Sequence, residues 1–423
     1  MRFLVFSFFF LCAHFVTAQN RQANSISGTV IDSEDLAPVQ YAYLYLKNYP
    51  DFSALADEQG EFKFFFPSQF LDETVVISSI GFEKKEVSIS SLAKTGNTLR
   101  LQRQLLSLNE VTVMPEDNFI EEMISKAIDN IPNNYPDKRH QLRGFYRKVS
   151  TNYEEFTKLV EAAVVVEEVS YFKEGVDIRI KLESLRQSDE LGEVDSSMTI
   201  LKHRIREHIK STGSTLGPSN QVIKTYQHNN GFRGDAYHSK TWFGKDGDRF
   251  MGIPELPTYR RLMGEEIVGN DTIYQIAFSS KDPPNGSSYL KINARNHAIV
   301  EYQIGWLSGE YQTFAKFREV DGVYYPEMFR NKELRLINRD VGTHQMDIST
   351  IWFDVPVTED FKKIRVKNAL GRDEEVESNK YELDSSFWKT YDFIKKHPLD
   401  SAIIRSLEMN KSLEQQFKRN AKD

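Results

Sequence analysis

Ile26-Ser27-Gly28-Thr29-Val30-Ile31-Asp32, followed by Pro38 and by Asp57-Glu58-Gln59-Gly60-Glu61-Phe62, is the stretch whose reading decides the fold of the first domain. It consists of short runs of β-forming residues cut by polar turns, the pattern of an antiparallel sandwich rather than of helices. Tyr41-Ala42-Tyr43-Leu44-Tyr45-Leu46 ends at Lys47-Asn48. Phe62, Phe64 and Phe66 alternate onto one face until Pro67, and Thr74–Ser79, Leu99–Leu101 and Val111–Val113 add further short strands.

Upstream, Met1-Arg2 is followed by an almost unbroken apolar run from Phe3 to Val16 and by Val16-Thr17-Ala18, the small-residue pattern of a signal peptidase site. Residues 1–18 therefore read as an export signal. The run is short of the roughly 20 residues a membrane helix needs, and no later segment reaches that length without charges, so the mature chain is expected to have no transmembrane span. Leu11 and Phe10 before Cys12 disfavour lipoprotein processing. Cys12 is the chain's one cysteine and leaves with the signal, which excludes disulfides and thiolate metal sites from the mature protein.

The ordered set Gly28-x-Val30-x-Asp32, Pro38, Asp57-x-x-Gly60-x-Phe62, Ser79-Ile80-Gly81-Phe82 and Leu108-Asn109-Glu110-Val111 closely resembles the carboxypeptidase-regulatory-like domain of Bacteroidota envelope proteins. The resemblance implies a transthyretin-like β-sandwich and an envelope habitat, and it implies no catalysis. Ala56 stands where a threonine often precedes the aspartate.

The 423 residues are enough for two or three domains. A hydrophobic content of 40% with 12% aromatics supplies sizeable cores, and a formal net charge of -7, with no basic cluster interleaved with aromatics, argues against nucleic acid. The expected fold is mainly β with some helix. A sandwich at 25–114 is followed by a linker and helix at 115–142, a larger antiparallel sheet or half-barrel at 143–370, and a C-terminal helical segment at 371–423. Asn118 is placed to cap a helix from Phe119 to about Ile131, with Ile120, Ile124, Ala127, Ile128 and Ile131 at helical spacing.

From Arg143 onward, strand patterns run over 144–149, 157–169 and 177–185, then 272–278, 288–292, 298–305, 311–320, 324–336 and 344–353. Asp321-Gly322 is a hairpin turn, and Arg295-Asn296-His297 is a second turn. Residues 201–217 read as polar and mobile. The pattern from Tyr289-x-Lys291-Ile292 through Phe317-x-x-Val320-Asp321-Gly322-x-x-Tyr325-Pro326-x-x-Phe329 is similar to strands of the lipoprotein-carrier type of half-barrel. A C-terminal helix is expected around Leu399 to Phe417.

Catalytic motifs are missing. There is no His-x-x-Glu or His-Glu-x-x-His for a peptidase zinc and no Gly-x-Ser-x-Gly, and Gly213 to Gly217 lacks the ending of a phosphate loop. His203 and His208 fall off one helical face, and Lys245-Asp246-Gly247-Asp248 is only a fragment of a calcium loop. No catalytic residue, cofactor or metal is expected. The candidate ligand or partner surfaces are aromatic: Tyr41, Tyr43 and Tyr45 on one strand face, and Tyr302, Trp306 and Tyr311, with Phe314 and Phe317, in the larger sheet. Core packing competes with ligand lining for the second group, and packing against the second domain competes with partner binding for the first. The functional expectation is an exported, non-catalytic envelope protein, acting as a binding or scaffold module on the periplasmic side of the outer membrane, with an envelope protein or glycan as partner. A periplasmic carrier of lipid or another apolar ligand is the alternative from a different class, and a hydrolase comes third.

Overall fold

The computed structural model describes residues 24–40, 42–49, 52–57, 59–79, 82–103, 118–152, 155–168, 178–191, 259–279, 288–305, 311–338, 343–370, 376–379 and 381–421. The export signal, the Val111–Val113 strand, the segment at 201–217, the His203/His208 pair and the Lys245 turn lie outside the described residues.

The first domain is a sandwich of two sheets. One has the order β4 (Glu61–Phe65), β1 (Ser25–Asp32), β7 (Asn97–Leu101), with β1 antiparallel to β4 and parallel to β7. The other has the order β3 (Ser53–Leu55), β2 (Tyr43–Leu46), β5 (Thr74–Ser78), β6 (Lys85–Ser88). Inward residues of both sheets, among them Val30, Leu44, Leu46, Phe62, Phe64, Val75, Ile77 and Leu101, form one core. Two glycines of the opening motif have physical reasons. A Cβ on Gly28 would lie 2.0 Å from the Asn97 carbonyl oxygen, so only glycine allows the β1–β7 approach. Gly60 closes the Asp57 turn at φ +71, a region that L side chains disfavour.

The second part is a ten-stranded, wholly antiparallel sheet. Its order is β10 (Arg179–Gln187), β9 (Phe156–Glu168), β8 (His140–Thr151), β17 (Thr343–Phe353), β16 (Val323–Asn338), β15 (Tyr311–Val320), β14 (Ile299–Gly305), β13 (Tyr289–Asn293), β12 (Asp271–Ser279), β11 (Tyr259–Val268). One face is covered by α1 (Phe119–Asp129) and α2 (Ile131–Asn134), whose Met123, Ile124, Ala127, Ile128 and Ile131 share a core with inward residues contributed by both halves of the sheet. The Asn118 side chain makes no capping hydrogen bond, unlike the expectation. Tyr135 ties this layer down: its hydroxyl donates to the Ile299 carbonyl at 2.8 Å and accepts from the Ile299 N–H at 2.9 Å.

The opposite, outer face carries the sandwich and the C-terminal helices α3 (Ser385–Thr390), α4 (Asp392–Lys396), α5 (Ser401–Leu407) and α6 (Leu413–Asn420). The single helix expected around 399–417 is two, because Met409-Asn410-Lys411 leaves the helix and Ser412 starts the next with a capping box to Gln415. Sandwich, sheet and helices meet in one continuous apolar cluster. Phe52 and Phe70 set their rings edge-on to Phe156 at 6.3 and 5.9 Å, and Val149, Leu159, Met346, Ile348, Ala402, Leu407 and Phe417 complete it.

Strand β11 was absent from the sequence expectation. It has little apolar alternation because most of its residues are exposed on the sheet edge, and its pairing to β12 is interrupted by a register shift at Leu262/Gly264. Strand β6 escaped because it is a four-residue edge strand with Val87 as its one apolar residue.

Candidate functional site

Alternation along β8 sends adjacent residues to opposite faces. Tyr146, Lys148 and Ser150 point to the helix-covered side, and Phe145, Arg147 and Val149 point outward. On the neighbouring β17, Ser349 pairs with Lys148 and Asp347 with Ser150, so these residues share the inner face. A short turn at Val376–Ser378 then brings Glu377 over them. Residues more than two hundred positions apart thereby form a buried polar cluster at one end of a largely apolar face, beside the buried Thr313–Asn331 pair that lies across from Ser349. Lys148 Nζ donates to Glu377 Oε1 at 3.0 Å and lies 3.7 Å from Asp347 Oδ2. Asp347 Oδ1 also accepts from Gln345 Nε2 at 2.9 Å.

Four buried oxygens here, Tyr146 Oη, Ser150 Oγ, Ser349 Oγ and Glu377 Oε2, have no hydrogen-bond partner among the described residues. Ser349 and Tyr146 are close enough to influence each other without being aligned in a hydrogen bond. Leaving such a group unpaired in the interior costs about 1–3 kcal/mol, a cost that the described residues do not offset at these four atoms.

The charges in the cluster are locked. Burial alone would push the Lys148 ammonium toward neutrality, but Asp347 and Glu377 outweigh it and hold its pKa above the ordinary lysine value. Burial would likewise raise Glu377, but the Lys148 charge and a backbone hydrogen bond keep it below the usual carboxylate value. Burial and the Glu377 charge push the Tyr146 phenol up. Near neutral pH the lysine stays protonated, the glutamate ionised and the tyrosine neutral. None is poised for proton transfer, which general acid–base catalysis needs. Neither serine hydrogen-bonds to Lys148 among the described residues.

The outer face holds a second buried charge cluster, one residue away in sequence. Arg147 Nε and Arg186 Nε each donate to Glu161, both at 2.7 Å, and Arg147 also donates to the His397 carbonyl at 2.9 Å. The guanidinium groups lie over Phe145 at 5.0 Å and Trp388 at 4.4 Å. A third buried pair, His140 with Glu168 at 3.3 Å, sits at the start of β8 with Tyr325 edge-on at 5.1 Å.

Of the aromatic candidates, Tyr43 and Tyr45 lie side by side with ring centroids 5.4 Å apart, on the strand face opposite the buried Leu44 and Leu46. The Tyr43 phenol is near Tyr289 of β13, whose pKa is raised by burial, by Glu301 and by Tyr43. That strand face thus turns toward the large sheet. Tyr302 is buried in the inner core, 6.1 Å from Phe317. Tyr41 and Trp306 lie outside the described residues, and of Tyr311 only the backbone, in β15, is described. The aromatics do not converge with the Lys148 cluster, which sequence reasoning missed. Among the described residues no group of three or more His, Cys, Asp and Glu is arranged to hold a metal ion, and no helix is long and apolar enough to cross a membrane.

A small β-sandwich joined to a large antiparallel sheet is the class this fold defines. Residues 26–113 match the family model of the CarboxypepD_reg-like domain, so the sandwich is a domain of that family followed by a β-rich region. No curated protein matches the sequence. Among solved structures, a LolA superfamily protein from Nitrosomonas europaea aligns at 9% identity and TM-score 0.20, covering 57% of this chain and 94% of its own. A putative outer membrane lipoprotein-sorting protein domain from Vibrio parahaemolyticus aligns at 8% identity and TM-score 0.24, with 57% and 94% covered. Lipovitellin aligns at 8% identity and TM-score 0.21, with 68% and 36% covered.

Proposed function

We propose that this is an exported, non-catalytic binding protein of the cell envelope that holds an amphiphilic ligand by its polar group. The observation that carries the reading is the set of four unpartnered oxygens around Lys148 at the edge of an apolar inner face. Hydroxyls both donate and accept, the free carboxylate oxygen accepts, and the ammonium donates, so a compact uncharged group with donors and acceptors satisfies them together. The locked charge states support binding over hydrolysis. The export signal supports an envelope location on the periplasmic side of the outer membrane. A scaffold role is the second reading, favoured by the apolar cluster that fuses the sandwich to the sheet and leaves it no freedom to swing.

Native, detergent-free purification followed by mass spectrometry of extracted small molecules tests the proposal. Wild type should carry an amphiphile. The triple variant Tyr146→Phe, Ser150→Ala, Ser349→Ala should carry at least about tenfold less, from three lost hydrogen bonds of roughly 0.5–1.5 kcal/mol each. An empty wild-type protein, or equal loading in both, sinks the reading and leaves the scaffold.

A further inference from the structure

We propose that residues 361–367 form a docking surface for an anionic phospholipid bilayer. Lys362, Lys363, Arg365 and Lys367 are all exposed, and none has a carboxylate partner among the described residues. The segment is held rather than loose. Gln141 Nε2 donates to the Lys362 carbonyl at 2.8 Å, and Arg179 Nη1 donates to the Ile364 carbonyl at 2.7 Å. The Ile364 N–H donates to Glu167 Oε2 at 2.7 Å, and the Ile364 side chain is buried. Pinning the chain at 362 and 364 presents the cations and Val366 outward. Val366 is 70% exposed on a single helical turn between Arg365 and Lys367, and Val357 on the adjacent strand-like segment is 44% exposed.

Charge complementarity selects the partner. The whole chain has a formal charge of -7, so its general surface repels an anionic bilayer. Four cations within six residues, with no carboxylate partner among the described residues, reverse that locally, with Glu359 and Asp360 just upstream and Asp373-Glu374-Glu375 further along the sequence. Basic residues beside an exposed aliphatic side chain suit a headgroup layer, where the charges meet phosphates and the valine enters the acyl boundary. Nucleic acid is disfavoured, because no exposed aromatic stands among the cations to stack a base.

Co-sedimentation of the folded protein with phosphatidylglycerol–phosphatidylcholine vesicles, and with phosphatidylcholine alone, tests this. Binding should require the anionic lipid and weaken with salt. Replacing the four cations with glutamine should weaken it by at least about a hundredfold, at roughly fivefold per basic residue. Val366→Ser should weaken it less, and both variants should melt like wild type because the changed side chains are exposed. The Tyr146→Phe, Ser150→Ala, Ser349→Ala variant should bind vesicles normally, which separates this surface from the ligand site. No binding by wild type, equal binding by the four-glutamine variant, or equal binding to phosphatidylcholine vesicles alone would overturn the proposal.

Discussion

Arg147 and Lys148 are neighbours in the chain, yet they enter two buried clusters on opposite faces of one sheet, and the clusters are built on opposite principles. On the outer face each Glu161 oxygen receives a guanidinium, and Arg147 also reaches the carbonyl that ends the His397 turn. On the inner face Lys148 is paired, but four oxygens around it are not. A closed network fixes the C-terminal helices to the sheet. An open one leaves hydrogen-bonding capacity unused among the described residues.

The largest expected effect that tests this contrast is on the closed side. Glu161→Gln leaves two buried guanidinium groups without their carboxylate and should cost about 3–5 kcal/mol, read as a lower urea midpoint. A cost under about 1 kcal/mol would mean that solvent reaches the network. On the open side, Ser349→Ala and Tyr146→Phe remove hydroxyls that bond to nothing described. In ligand-free protein each should leave stability unchanged or raise it, by up to about 1–3 kcal/mol, in the same titration. A loss above about 2 kcal/mol for either would show that the cluster is structurally closed after all.

The smallest effect concerns pH. Burial pushes His140 toward neutrality, but the Glu168 carboxylate and the Lys138 carbonyl outweigh it and raise its pKa above 6.5. The pair's contribution is therefore fully present below about pH 6.5, the unfolded histidine value, and is lost as pH rises through the higher folded value. The urea midpoint should decline across that window in wild type and stay level there in His140→Gln. A decline of the same size in the variant would remove His140 as its source.

Much of the fold was legible because burial leaves a period in the sequence. Phe62, Phe64 and Phe66 alternate because they face a core, and Asp321-Gly322 turns because two strands must meet there. Strands β6 and β11 were not legible, because β11 is largely exposed at its sheet edge and β6 has only Val87 to mark a face. The Lys148 cluster was hidden for another reason. Arg147-Lys148 reads as a solvated charge pair, and only the β8–β17 register, together with a turn 229 residues away, reveals that one side chain goes in and the other out. The step-of-two spacing in Tyr146-x-Lys148-x-Ser150 and Asp347-x-Ser349 was the available signal, a polar face at one end of two paired strands.

The C-terminal helices also set an order of assembly. Tyr49 of the sandwich donates to Asp400 at 2.6 Å, Gln69 to Ser406 at 3.1 Å, and the Phe156 N–H to the same Ser406 hydroxyl at 2.8 Å. Sequence separations of 351, 337 and 250 residues make these among the most non-local contacts a chain of this length can have. The sandwich closes on pairings no longer than the β1–β7 parallel pair, within its own first hundred residues, but its junction with the sheet cannot close until residues 400–417 arrive. Until then Phe52, Phe70 and Phe156 lack their final covering, and the interval between folding of the first domain and docking of the last helix is when this chain is most exposed to aggregation and proteolysis.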